Sequence, residues 1–326
     1  MISRRSVWSD VEVQQLLTRF VAVADEVGRL QRGQDAECEL FRSFSEQGHY
    51  GGRDFPTDTR QGIYAVAPSG RLLASVNSND KRRVLSMLQQ ALQRWQELAP
   101  AERHLGADAA ARLAASRRFE DRCPPHGLVL IEYLRDLEPL PGDDERFAKA
   151  WNEDQVWLLP GEAAALVPPV AELGAKVAWP AAVAERLARL HLVDSVRGQT
   201  PAFPAKAVRE ASLSSEVVAI DGDRLELRLT GRSRTEHRGR WVVADRGEAV
   251  DHVRGVEVVC EGRATWDRGA GRFERFELLA TGTRFGATQY NRRPATAEPA
   301  PIGFAFVLAS PDAPRVAPAF WWDYGW

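Results

Sequence analysis

Apolar positions in the first hundred residues recur at helical spacing, then in short runs, then at helical spacing again. Val13, Leu16 and Leu17 share one face of a predicted helix over residues 6–19, with Ser9 or Asp10 as its cap. "RFVAVADE", residues 19–26, predicts a short buried strand rich in β-branched residues. In "DAECELFRSFSEQG", Leu40, Phe41 and Phe44 mark a second helix that Gly48 stops. "HYGGRDFPTDTRQ" reads as a loop. "GIYAVAPSGRLLASVN" places two apolar runs around Pro68-Ser69-Gly70, which predicts a β-hairpin. A third helix follows, capped by Asn79 or Asp80, with Val84, Leu85, Leu88, Leu92 and Trp95 in one stripe. Helix, strand, helix, hairpin, helix is the order of an α/β layer with a central sheet.

The texture changes near residue 98. An alanine- and arginine-rich stretch runs to Pro124-Pro125, and "GLVLIEYLRDL" then reads as a strand. "DDERFAKAWNEDQVW" and "WPAAVAERLARLHLVD" read as amphipathic helices, the second with Pro180 in its first turn. Beyond Pro204 strand signals dominate. "LSSEVVAIDGDRLELRLTG" predicts a hairpin turning at Asp221-Gly222, a second turn falls at Gly269 to Gly271, and "IGFAFVLAS" closes the series. The expected fold class is α+β multidomain: an N-terminal α/β domain over residues 1–100, a mixed middle section over 101–204, and a C-terminal antiparallel β-sandwich or open barrel over 205–326.

Composition narrows the function classes. The 326 residues carry a formal charge of −2 with basic and acidic groups interspersed, which argues against nucleic acid as a partner. Cys38, Cys123 and Cys260 lie far apart, giving neither a disulfide framework nor a close-spaced metal-ligand pair. No apolar run approaches the roughly 20 residues needed to span a bilayer, and no apolar stretch of a secretory signal follows "MISRRSVWSD". The expected setting is therefore cytoplasmic and reducing, with no membrane partner.

Residues 7–23, "VWSDVEVQQLLTRFVAV", with the "GIYAVAPSGRLLASVN" hairpin and the helix through Trp95, resemble the thioredoxin-like fold family. The resemblance covers less than a third of the chain. It implies a Cys-x-x-Cys pair upstream of Trp8 and a cis-proline just before the hairpin. This sequence has no cysteine before Cys38, carries "TRQG" where the proline would stand, and has its nearest proline at Pro56. Dithiol exchange needs two thiols within reach of one another, so no thiol pair carries over.

Several residues are candidates for chemistry. Cys38 lies in the first turns of a predicted helix, which favours a thiolate, but Glu37 and Glu39 oppose it; a packed, idle thiol is the blander reading. In the "GHYGGR" loop, His49, Tyr50 and Arg53 supply a titratable ring, a phenol and an anion-binding fork, although its glycines also serve simply to turn the chain. Cys123 and His126 have ligand-like spacing, but no second pair follows, so no metal site is assigned. Asp154, His191, Asp194 and Arg197 are dense in acid-base groups and would line a cleft between the middle and β-rich sections, or else form salt bridges and caps. The aromatic ending "FWWDYGW" should dock, most simply into a groove of its own chain.

Two functions follow. The first is a redox-inactive thioredoxin-like scaffold with a binding or assembly role, its partner a protein or a small molecule. The alternative is a cytoplasmic hydrolase or oxidoreductase in which His191 does acid-base work with Asp154 or Asp194 orienting it, or a single-cysteine redox enzyme using Cys38. No cofactor is specified by the sequence.

Overall fold

The computed structural model describes residues 7–49, 59–116, 118–139, 143, 145–243, 247–296 and 298–326, and it divides into two units, Met1–Arg118 and Phe119–Trp326. In the first unit, helix α1 (Val11–Leu17) starts where the Asp10 side chain accepts from the backbone N–H groups of Glu12 and Val13. Helices α2 (Val27–Arg32) and α3 (Ala36–Ser45) follow, capped by Glu26 and Asp35. Strands β1 (Ile63–Val66) and β2 (Leu72–Val76) form the expected antiparallel hairpin, with Gly70 at φ +84° in its turn. Helix α4 (Lys81–Glu97), capped by Asp80, joins Val84, Leu88 and Ala91 to Val13, Ala65 and Leu73 in one core. Helix α5 (Ala107–Ala114) ends the unit.

The strand expected over residues 19–26 does not form. Phe20 packs on the core, but Val21 is 92% exposed and Val23 faces solvent, so the run has no partner edge and no covered face. Among the described residues the sheet of this unit is therefore the two-stranded hairpin, smaller than the central sheet the pattern predicts.

The second unit is built on one antiparallel sheet of eight strands that does not close on itself. In chain order these are β3 (Leu128–Asp136), β4 (Trp151–Leu158), β5 (Lys176–Ala178), β6 (Val208–Asp221), β7 (Arg224–Val242), β8 (Ala249–Asp267), β9 (Arg272–Phe285) and β10 (Ala300–Leu308). Their order across the sheet is β4-β3-β10-β9-β8-β7-β6-β5. Helices α6 (Glu145–Ala148), α7 (Pro160–Ala164) and α8 (Ala181–Arg186) are short. The middle section and the β-rich section do not separate at residue 204, because β3, β4 and β5 share the sheet of the later strands. Among the described residues of this unit there is no second sheet, so its architecture is an open sheet and not a sandwich.

Alternation explains the inner face. Leu225, Leu227 and Leu229 of β7 point the same way as Val256 and Val258 of β8, Phe276 and Leu278 of β9, and Phe304 and Phe306 of β10. Trp179, Val183 and Leu187 cover them from α8 and its flanks. Strands β7 and β8 run 19 residues each, well beyond the usual 3–10, so they must bend to wrap this core. Glycines permit it. A Cβ at Gly262 would stand 2.2 Å from the carbonyl oxygen of Glu277, and one at Gly282 would stand 2.0 Å from that of Glu257. The outer face carries exposed ion pairs such as Arg228–Glu216 and Arg224–Glu274, each worth little.

The segment expected to be a helix over residues 143–157 divides: only Glu145–Ala148 is helical, and β4 begins at Trp151. Its inward positions include Asn152 and Asp154, and those polar residues disguise the period of 2. No helix among the described residues is long and apolar enough to cross a membrane.

Replacing Gly262 by alanine should lower the stability of this unit by about 1–3 kcal/mol in urea titration, because the new methyl has no room. The same change at Gly161, where a Cβ meets nothing within 4 Å, should leave stability nearly unchanged.

Candidate functional site

His191 owes its position to an irregular helix end. Helix α8 runs into a single π turn, Leu187–His191, closed by the Leu192 N–H donating to the Leu187 carbonyl at 2.8 Å. The wider turn keeps Leu187, Leu190 and His191 all buried, and such turns recur at functional positions. Facing the imidazole are Glu132 on β3 and Asp154 on β4, which are direct register partners. His191 Nδ1 lies 2.9 Å from Glu132 Oε2 and 3.7 Å from Asp154 Oδ2. His191 Nε2 lies 2.7 Å from the hydroxyl of Tyr324. The histidine side chain is 0% exposed, Glu132 is buried, and Asp154 alone reaches the surface, at 16%.

The aromatic tail supplies the remaining wall, as its composition predicts. The amide of Gln155 grips it from β4, Nε2 donating to the Pro314 carbonyl at 2.7 Å and Oε1 accepting from the Val316 N–H at 3.1 Å. The Asp154 carboxylate accepts from the Ala319 N–H, and the Trp157 N–H donates to the Tyr324 oxygen at 3.3 Å. Trp321 packs on Trp157, with ring centroids 5.4 Å apart, in a small core with Phe119, Val129 and Leu190. Arg186, paired with Glu162, lies over the rings of Tyr324 and Trp326.

Burial sets the protonation of this cluster. It pushes the Glu132 carboxyl well above its ordinary range. It raises Asp154 to about 7, with His191 opposing and Glu132 adding to the shift. It lowers His191 to about 4, and it keeps Tyr324 a neutral phenol. Burial thus favours the neutral forms of the cluster, with a shared proton on a carboxyl instead of the ring. A carboxyl–imidazole–phenol chain of this kind can relay a proton. The same three side chains, Glu132, Asp154 and His191, also bring one metal-donor atom each to within 4.8 Å of one another, the only such set among the described residues.

Asp194 and Arg197 belong to a different cluster, so Asp194 does not orient His191. Arg293 forks between two acids, reaching Asp136 at 2.7 and 2.8 Å and Asp194 at 2.9 and 3.0 Å. Arg197 donates to Asp136 and Asp143, Arg284 Nε approaches Asp136 at 3.4 Å, and Asn291 donates to Asp194. Burial pushes the Asp194 carboxyl up, but Arg293, helped by Arg284 and Arg197, holds it below its ordinary 3.8. Both Nη atoms of Arg284 are buried, with no acceptor among the described residues.

The remaining candidates lie in the first unit. Cys38 is buried; burial and a hydrogen bond with Asp35 raise its thiol to about 11 in spite of nearby Arg29. That is the environment of a packed thiol. His49 stacks on Tyr64 with centroids 5.1 Å apart, and its N–H donates to Ser75 Oγ. Tyr50 and Arg53 lie outside the described residues. A groove of about 430 Å³ lined by Ser75, Arg82, Arg83 and Gln90 contains none of the candidate side chains. Cys123 is half-buried with a raised thiol and His126 is exposed at φ +60°, and they form no donor cluster.

Sequence reading missed Glu132, Arg284 and Arg293, placed Asp136 only in a segment dense in polar groups, and gave Tyr324 a docking role alone. For Glu132 and Asp136 a signal existed: in "LVLIEYLRD" they share the inward parity of Leu130 and Leu134. Arg293 sits in a loop with no period to place it. Comparison with family models, with curated proteins and with solved structures returns no match to this chain.

Tyr324→Phe should cost about 1–3 kcal/mol of stability in urea titration, since it takes the hydroxyl from both His191 and the Trp157 N–H; an unchanged midpoint would show that the tail does not depend on this bond. For Asp194 the folded pKa is depressed, so its contribution is complete above about pH 4 and is lost as the pH falls through the lower folded value. Asp194→Asn should lower stability at neutral pH by about 3–5 kcal/mol and flatten the decline below pH 4, measured as stability against pH.

Proposed function

We propose that this chain works by binding or assembly and not by catalysis, with the open-sheet unit as a rigid platform. The observation that carries the reading is the sealing of the acid-base groups. The His191 ring is fully buried with both nitrogens engaged internally, Asp194 and Arg197 are committed to ion pairs, and the Cys38 thiol is packed. General acid-base work needs a group within hydrogen-bond reach of a substrate proton, and a sealed imidazole has no such reach. On the outer face of the sheet, Val259, Leu279, Tyr133 and Trp151 stay exposed on neighbouring strands and give a binding role a surface. The first unit enters this proposal as a thioredoxin-like module without its thiol pair. Its hairpin and long helix support this reading, and Cys38 is the one cysteine in residues 1–118.

One observation favours the enzymatic alternative: Asp154 combines partial exposure with a pKa near neutrality, next to His191. Chemical modification separates the two readings. On the folded chain at neutral pH, Cys38 should resist alkylation and His191 should resist carbethoxylation, while exposed His104 and His126 react freely. Modification of His191 at the rate of His126 would favour an open acid-base site, and rapid alkylation of Cys38 would favour the thiol enzyme.

A further inference from the structure

We infer that Glu132, Asp154 and His191 bind a divalent first-row transition-metal ion through one oxygen of each carboxylate and Nδ1 of the imidazole. The inference is independent of the proposed binding role. Three observations converge on it.

The first is geometry. Donors about 2.1 Å from a common ion stand about 3.0–3.4 Å from one another, for cis-octahedral and tetrahedral arrangements respectively. The two edges from Nδ1, 2.9 Å to Glu132 and 3.7 Å to Asp154, bracket that spacing. All three donor atoms lie within 4.8 Å of one another, so rotation of the side chains toward a common point completes the set.

The second is charge. Two carboxyl groups sit side by side on adjacent strands, one buried and one with a single exposed edge, and only a cation between them lets both ionise there. The cations nearby are committed elsewhere. Arg186 pairs with Glu162, and Arg197 and Arg293 belong to Asp136, Asp143 and Asp194. A dication balances both carboxylates, with the imidazole binding through Nδ1 and keeping its proton on Nε2.

The third is the outer shell. With Nδ1 on a metal, the Nε2–H donates to the Tyr324 oxygen 2.7 Å away, the arrangement that fixes a ligating histidine. Asp154 is held by the Gln155 and Ala319 N–H groups. Its exposed edge gives an ion entry and leaves a position for water. One imidazole and two carboxylates, with no thiolate, suit Zn²⁺, Mn²⁺ or Fe²⁺.

The test is titration of the full, chelator-treated chain with Zn²⁺ by calorimetry, and with Co²⁺ by visible absorption. One ion per chain should bind. Asp154→Asn, at the least buried ligand, should weaken binding at least about 100-fold while circular dichroism stays unchanged, and Tyr324→Phe should weaken it about tenfold. X-ray absorption of the wild-type Zn²⁺ form should show nitrogen and oxygen neighbours only, a readout that needs no variant to fold. Absence of binding at millimolar Zn²⁺, undiminished binding by Asp154→Asn, or sulfur in the metal's shell would each overturn the assignment.

Discussion

Strand β4 ends the sheet on one side, and its free edge must be covered for the rest of the second unit to close. An exposed strand edge offers unpaired N–H and C=O groups to any passing chain. Here the C-terminal tail takes that place, held by the Gln155 amide, the Asp154 carboxylate and the Trp157 N–H. Tyr324 then turns inward to meet His191. The same contacts that protect the edge also seal the imidazole, so edge protection and site closure are one arrangement. The buried ones among these groups, the Trp157 N–H and the Gln155 amide, would each cost about 1–3 kcal/mol if left alone, which ties the tail to β4.

Two buried polar systems sit at different heights on the same inner face. One gathers acids around a single histidine, and the other gathers arginines around Asp136 and Asp194. Their electrostatics run in opposite directions. Among the arginines a carboxyl is held ionised; around His191 burial pushes carboxyls toward the protonated form. Buried ion pairs are weak sources of stability against an apolar alternative, yet breaking one from one side costs several kcal/mol. Both systems therefore constrain the fold strongly even where they add little to its net stability, and the His191 group is the one with chemistry to spare.

The sequence made much of the fold legible, and the exceptions share a physical cause. The hairpins at Gly70 and Gly222 and the helix capped by Asp80 are local structures whose turn and cap residues sit next to the elements they punctuate. Strand β4 was hidden because Asn152 and Asp154 occupy inward positions where apolar residues are expected. Residues 20–26 failed in the other direction: their apolar character promises a strand, but a strand exists only where a partner edge receives it. Of the site, His191 and Asp154 were legible as suitable groups at local density. Glu132 and Tyr324 were not, since they join His191 from 59 and 133 residues away. Pairing Asp194 with His191 from sequence proximity misplaced it: the π turn ends at His191, and the chain carries Asp194 to the arginine cluster.

The central claim is that the tail seals the His191 imidazole against the sheet and leaves it only when the unit unfolds, Asp154 keeping the one exposed edge. Native-state hydrogen exchange tests it at three amides, those of Trp157, Leu192 and Tyr324, which bond to Tyr324, Leu187 and Trp321. The account predicts that all three exchange with the free energy and denaturant dependence of global unfolding. Exchange at much lower free energy, independent of denaturant, would show the tail lifting from an intact sheet and would contradict it.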